Sequence, residues 1–191
     1  MDDDDLPIRP SILAPGAKEP SDLGHRLAQK ILVPLLVLFA VVVVVFYVLF
    51  DFGRVSGPSM LPTLRDEDCV LMTKGDPYPR HGDIVITSVN EQGEQIELVK
   101  RVIAVPGDMI SIQADRALVN GVPEPQLGQV IVPEYAATAP TFTVPPNMVY
   151  LMGDNRAVSY DSRWLGPEPI AGIKGKVFAI YAPVTRIRFV R

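Results

Sequence analysis

Cysteine and histidine are almost missing from this 191-residue chain, which has one of the first, Cys69, and two of the second, His25 and His81. A single cysteine excludes an intramolecular disulfide. Three Cys and His side chains in all exclude a Cys/His zinc cage, and no H-E-x-x-H stretch occurs. Excess positive charge is lacking too: 18 Lys and Arg stand against 22 Asp and Glu, a formal net charge of -4. Four of those acids form the run Asp2–Asp5, so the rest of the chain carries 18 of each sign. That balance excludes a strongly basic nucleic-acid surface.

What the chain does have is a long uncharged run. Residues 31–50 read ILVPLLVLFAVVVVVFYVLF, 20 residues without a charge. At ~1.5 Å per residue a helix of this length spans the ~30 Å hydrocarbon core of a bilayer. Its valines are poor helix formers in water, but in lipid every backbone N–H and C=O must be satisfied within the segment, which forces a helix. Pro34 would fall in the first turn, where a missing N–H costs least. A cleaved signal peptide has a shorter apolar core, ~7–15 residues, and a small-x-small site after it. Here the run continues into Phe50-Asp51-Phe52-Gly53 with no such site, so an uncleaved signal anchor is expected. Lys18, Arg26 and Lys30 flank it on one side, Arg54 and Arg65 on the other, which places the N-terminus inside. The expected layout is a disordered cytoplasmic tail over 1–30, a single transmembrane anchor over 31–50, and an extracytoplasmic domain over 51–191 at the plasma (inner) membrane.

The domain is dense in chain breakers, with 14 prolines and 12 glycines in residues 51–191. Helices of ordinary length hardly fit between them. Short runs of branched and aromatic residues do fit: Cys69–Thr73, Ile84–Val89, Ile96–Val105, Met109–Gln113, Leu118–Val119, Val130–Val132, Met148–Met152, Lys176–Tyr181 and Thr185–Val190. Asn120-Gly121 between Val119 and Val122 suits the positive φ angles of a type I′ hairpin. The fold class is therefore all-β, with sheets closing on each other as a sandwich or partial barrel.

Elimination narrows the chemistry. A Ser–His–Asp site needs a histidine beside a serine. His25 lies on the tail side of the membrane, and His81 sits in a turn before a strand, where a solvated side chain is expected. Cys69, in the apolar run Cys69-Val70-Leu71-Met72, is expected to pack in the core rather than act as a nucleophile. A serine with a lysine base remains open. Ser59 is held between Gly57-Pro58 and Pro62, although an ordinary turn leaving a membrane would look the same. In the strand Glu97–Val105, Leu98, Lys100, Val102 and Ala104 share one face, and Val99, Arg101, Ile103 and Val105 the other. A cation on a buried face is costly unless neutral or paired. Lysine can become neutral and arginine cannot, so Lys100 is the candidate base and Arg101 is expected to be paired or exposed.

Four stretches together resemble the boxes of bacterial type I signal peptidases. They are Gly57-Pro58-Ser59-Met60-Leu61-Pro62-Thr63-Leu64, Arg80-His81-Gly82-Asp83-Ile84-Val85, Lys100-Arg101-Val102-Ile103-Ala104-Val105-Pro106-Gly107-Asp108, and Gly153-Asp154-Asn155-Arg156-Ala157-Val158-Ser159-Tyr160-Asp161-Ser162-Arg163. The resemblance implies two antiparallel sheets beside the membrane and a Ser–Lys endopeptidase that removes signal peptides from secretory preproteins without metal or cofactor. It implies Ser59 as nucleophile, Lys100 as general base and Ser159 as the hydroxyl that orients the Lys100 amine. Asp154 would pair with Arg101, and Asp161 with Arg163. Val55, Met60, Leu64, Leu98 and Val99 would line apolar pockets for small substrate side chains.

This chain departs from one branch of that family in having Gly57 where a serine donates to the oxyanion. Pro58 has no N–H to give, so Ser59 N–H is the only donor the motif supports and a second is still to be found. Ala157-Val158 also replaces a polar pair. Two other classes compete: a non-catalytic membrane-tethered β domain that binds or assembles exported proteins, and a protease dedicated to one export pathway.

Overall fold

The computed structural model describes residues 21–75, 78–91, 93–113, 116–125 and 141–190. It divides into a compact unit ending at Val45 and a second running from Phe46 to Arg191. In the first, helix α1 (Ser21–Leu49) begins well before the expected anchor. Residues 21–30 are thus helical rather than a disordered tail, and Pro34 lies inside the helix rather than in its first turn. A membrane helix tolerates such a proline where local adjustments satisfy the freed carbonyl. The stretch Leu27–Leu49, 23 residues, is long and apolar enough to cross a bilayer. The Asp2–Asp5 run lies outside the described residues.

The second unit is built from twelve short strands: β1 (Phe50–Arg54), β2 (Cys69–Lys74), β3 (Ile84–Glu91), β4 (Glu94–Ala104), β5 (Met109–Gln113), β6 (Arg116–Val119), β7 (Val122–Pro123), β8 (Phe142–Thr143), β9 (Met148–Met152), β10 (Glu168–Pro169), β11 (Ile173–Ala182) and β12 (Arg188–Phe189). They form two antiparallel sheets among the described residues. The larger has the order β1-β2-β11-β3-β4-β9-β10, with β12 on β11, and the smaller β7-β6-β5-β8. The all-β expectation holds, and β5 and β9 match their expected bounds. Asn120 and Gly121 have φ of 53° and 81° and Val119 pairs with Val122, the type I′ hairpin the dipeptide demands.

Several expectations need correction. Phe50 is not the last residue of the anchor but the first of β1. The expected strand Thr185–Val190 is a 3-10 turn over Val184–Arg186 and then the two-residue β12. Pro183 before that turn cannot donate to a ladder. The short strands β7, β8 and β10 carry too few residues to show a period. Cys69 is half-buried rather than core. The stretch Val130–Val132 lies outside the described residues.

The larger sheet carries an apolar cluster on each face. Ile84 and Ile86 of β3 pack with Val55, Met60, Leu64 and Val70, and Val99 lies against them. Val85, Val102, Val149 and Leu151 form the other cluster. The alternation expected along β4 holds through Val102 and then fails. Ile103 and Ala104 pack in one cluster, because the pairing with β9 shifts register between Val102 and Ala104. A bulge of this kind turns successive side chains to the same side.

Candidate active site

Ser59 lies on the loop between β1 and β2, and the residues that follow it anchor that loop. Met60 and Leu64 are 1% and 0% exposed, each contributing on the order of 1.5–3 kcal/mol by burial. They are plugs: with both in the core, the turn that carries Ser59 between Pro58 and Met60 is fixed beside them. Asn155 N donates to Ser59 O at 2.9 Å and Asn155 Nδ2 to Pro58 O at 3.1 Å. Asn155 therefore holds the Ser59 turn through two adjacent backbone carbonyls without engaging the Ser59 side chain.

Lys100 comes to Ser59 from β4, 41 residues further along the chain. It pairs across the sheet with Val85 and is 3% exposed. Lys100 Nζ lies 3.1 Å from Ser59 Oγ in hydrogen-bond contact. Among the described residues no carboxylate lies within ion-pair distance of this amine. Burial lowers its pKa from the ordinary lysine value; the more distant Asp161 carboxylate works against that shift and Arg163 adds to it. A buried amine without a counter-ion is pushed toward its neutral form, the state in which nitrogen has a lone pair.

Arg101, the next residue, is 6% exposed and fully engaged. Its Nε and Nη2 donate to the two oxygens of Asp154 at 2.7 and 2.8 Å, and Nη1 donates to Gly82 O at 2.6 Å. The expectation that Arg101 would be paired is met by a bidentate ion pair. Asp161 caps the one-turn helix α2 (Ser162–Leu165). Its carboxylate accepts from Arg163 Nε at 2.8 Å and Nη2 at 3.0 Å, and from Gly153 N at 3.0 Å. Arg163 Nη2 also donates to Arg156 O and Ser159 O. This pair ties the loop carrying Ser159 to the end of β9.

Ser159 reaches the site but not the expected contact. Its Oγ is buried and has no hydrogen-bond partner, so the hydroxyl does not hold the Lys100 amine in this geometry. Gly153 explains the crowding. A Cβ at 153 would lie 2.3 Å from Ser159 Oγ and 2.5 Å from Ser59 O, so only glycine lets the two serine-bearing segments approach. Sequence reasoning gave no role to Gly153, Asn155 or Arg156. Arg156 Nε donates to Gly153 O at 2.9 Å, and its guanidinium forms a buried ion pair with Glu124 from beyond β7. A glycine, an asparagine and an arginine inside a box otherwise assigned to chemistry were the available signal.

Of the expected pocket residues, Val55, Met60, Leu64 and Val99 gather in one apolar cluster. Leu98 is half-buried on the face of Lys100, two residues away on β4. His81 is exposed and bonds Asp108, with Nε2 2.6 Å from Oδ2, while Ser59 Oγ has Lys100 as its partner. Ser59 N donates to no protein acceptor among the described residues. No group of three or more His, Cys, Asp or Glu gathers among them to hold a metal.

The chemistry of this arrangement is that of a half-buried serine against a buried amine, with a free backbone N–H beside it, able to activate a hydroxyl and to receive a developing oxyanion. The chain also resembles known proteins. The family described as signal peptidase, peptidase S26, matches residues 28–182. Signal peptidase I of Bacillus caldolyticus is 36% identical over 170 residues, covering 78% of this chain and 90% of its own. Signal peptidase I of Leptolyngbya laminosa is 30% identical over 147 residues, covering 70% and 69%. A solved signal peptidase I from Enterococcus faecalis aligns at 27% identity with a TM-score of 0.41, covering 52% of this chain and 96% of that one.

Proposed function

The chain belongs to the signal peptidase family, peptidase S26, and from that premise we propose a Ser59–Lys100 mechanism for it. The protein is a membrane-bound serine endopeptidase that cleaves signal peptides from preproteins. In the proposed mechanism the neutral Lys100 amine takes the Ser59 proton as Oγ attacks the scissile carbonyl carbon. The negative charge on the carbonyl oxygen is received by Ser59 N–H. The Lys100 ammonium then returns its proton to the leaving amine, the C–N bond breaks, and the signal peptide stays on Ser59 as an ester. Lys100 next takes a proton from water, whose oxygen attacks the ester, and Ser59 is regenerated.

The observation that carries this reading is the 3.1 Å contact between Ser59 Oγ and Nζ of a buried Lys100 that has no counter-ion among the described residues. Asp154 with Arg101 and Asp161 with Arg163 support the site by fixing β4 and the loop of Ser159. Ser159, whose buried hydroxyl has no hydrogen-bond partner among the described residues, is the residue proposed to orient the amine. Detergent-solubilised protein should cleave a preprotein, and Ser59→Ala should not; cleavage by Ser59→Ala sinks the mechanism. A tethered β domain without catalysis is disfavoured because it has no use for an unpaired buried lysine beside a serine. Cleavage of several unrelated preproteins would distinguish general use from a dedicated pathway.

The proposed substrate binds as an extended strand, with its first and third side chains before the cut on one side. In this proposal Leu98, on the face of Lys100, and the apolar cluster of Val55, Met60, Leu64 and Val99 restrict those positions to small side chains. Phe at either position should suppress cleavage. The proposed topology is single-pass with the N-terminus cytoplasmic, supported by three cations in residues 11–30 against two in residues 51–70. Protease added to spheroplasts should digest the 51–191 domain; protection until lysis would reverse the topology.

A further inference from the structure

The loop that carries Ser59 is held on one side by Asn155, and on its other side by a charged cluster the mechanism does not use. Asp68, at the end of the loop just before β2, is 1% exposed. Its oxygens accept from Arg186 Nε and Nη2, both at 2.8 Å, and Oδ2 also accepts from Arg65 N at 2.8 Å. Arg186 lies on the 3-10 turn after β11 and its side chain is 17% exposed. Its Nη2 is 3.4 Å from Thr63 O, and Arg188 Nη2 of β12 donates to the same carbonyl at 2.6 Å. Thr63 stands four residues after Ser59 and its hydroxyl receives Arg101 Nη2 at 3.5 Å.

We propose that Arg186 and Arg188 are positioning residues for catalysis, with the segment after β11 clamping the Ser59 loop at Thr63 and Asp68. The inference rests on Ser59 and Lys100 being the reacting pair. Stability alone is a poor reason for this arrangement. Burying an ion pair sacrifices hydration, and replacing such a pair with apolar residues is often neutral. What the pair supplies is a fixed geometry: a planar guanidinium gripping both carboxylate oxygens admits little sliding. The clamp joins the loop to β11, which pairs with both β2 and β3. The Ser59 backbone is thereby referenced to the same sheet that carries Lys100. Misplacing a reacting atom by an ångström costs up to ~10²-fold in rate, so the loop needs such a reference.

The test is steady-state cleavage of a preprotein by the full-length protein in detergent, with kcat, KM and Tm measured for each variant. Arg186→Gln should lower kcat by ~10- to 100-fold with KM within about twofold, since the bond network and not the substrate cleft is altered. Arg186→Lys should recover part of that loss by keeping the charge. Arg186→Gln and Asp68→Asn combined should lose clearly less than the product of the two single losses, because they share the Asp68–Arg186 pair. Lys176→Ala is the stability control: it removes an ion pair to Asp83 elsewhere on the sheet and should lower Tm without lowering kcat. Should Arg186→Gln fail to fold, Arg188→Ala, an exposed residue, removes only its Thr63 bond and should still lower kcat by several-fold. Parental kcat in folded Arg186→Gln or Arg188→Ala, or a kcat loss in Lys176→Ala equal to theirs, overturns the clamp. Ser59→Ala in the same assay separates the two ideas. If it is inactive while Arg186→Gln keeps the parental kcat, only the clamp fails; if it is active, the Ser–Lys reading fails.

Discussion

Two buried cations sit side by side on β4, and their surroundings could hardly differ more. Arg101 meets a carboxylate with two matched bonds and a backbone carbonyl with a third. Lys100, one residue earlier and equally buried, meets a serine hydroxyl. A pairing side and a reacting side are thus separated by the pleat of one strand. The difference teaches that burial by itself assigns no role. A guanidinium cannot lose its charge, so burial obliges it to find a carboxylate. An amine can, so burial without a carboxylate converts it into a base.

The comparison breaks most visibly if the two cations are made alike. Lys100→Arg should reduce preprotein cleavage by roughly 10³-fold or more, as should Lys100→Ala, because neither can take the serine proton. Lys100→Met should be equally inactive but as thermally stable as the parent or more so, since it removes an amine that has no counter-ion. Substantial cleavage by a folded Lys100→Arg variant would mean that only positive charge is needed at this position.

On the other side, Asp154→Ala leaves the Arg101 guanidinium buried and uncompensated. Unfolding by denaturant should show a loss of about 3–5 kcal/mol. An unchanged midpoint would show that Arg101 finds water or another partner, and the contrast between the sides would fall. Gly153→Ala probes the seam between them. Its Cβ has no space beside Ser159 Oγ and Ser59 O, so kcat should fall by about 10²-fold. The thermal midpoint should drop with it, as overpacking costs about 1–3 kcal/mol.

The pH dependence sharpens the same contrast without mutation. The Lys100 pKa is lowered in the fold, so between its folded and unfolded values the unfolded chain binds the extra proton. Stability and kcat/KM should both rise with pH through the folded Lys100 value. Lys100→Met should lose that part of the stability slope, as read by denaturant midpoints across pH.

The smallest effect is expected away from both sides, at Asp108. Burial would raise its pKa, but the Val105 N–H, the Asn120 amide and His81 together lower it. Its contribution is therefore present above the unfolded carboxylate pKa and fades as pH falls through the folded one. Asp108→Asn should cost about 1 kcal/mol at neutral pH and nothing in acid.

Much of this was open to a reading of residues alone. The apolar run reads as a helix long enough to span a bilayer, which the helix through Leu49 matches in length, and β5, β9 and the Asn120-Gly121 hairpin follow from local pattern. The preference for Lys100 over Arg101 as the candidate base follows from their chemistry. The helix start at Ser21 did not, since residues 21–30 carry charges and no clean period. Nor did β12, whose two residues are strand only because β11 lies beside them. Gly153, Asn155 and Arg156 were in view without a role, because a close approach or a backbone bond is invisible until the partner segment is placed.

The sequence by itself determined which groups were available: one anchor, a chain of short strands, a serine on a constrained turn, and two adjacent cations of which one can be neutral. These are properties of single residues and their near neighbours. Only the tertiary structure decided that Ser59 meets Lys100 across 41 residues, that Asp154 takes Arg101, and that Ser159 lies buried with its hydroxyl unbonded. Those outcomes depend on dielectric and distance, which are set by how remote segments pack. A lysine becomes a base when other parts of the chain shut out water and supply no counter-ion.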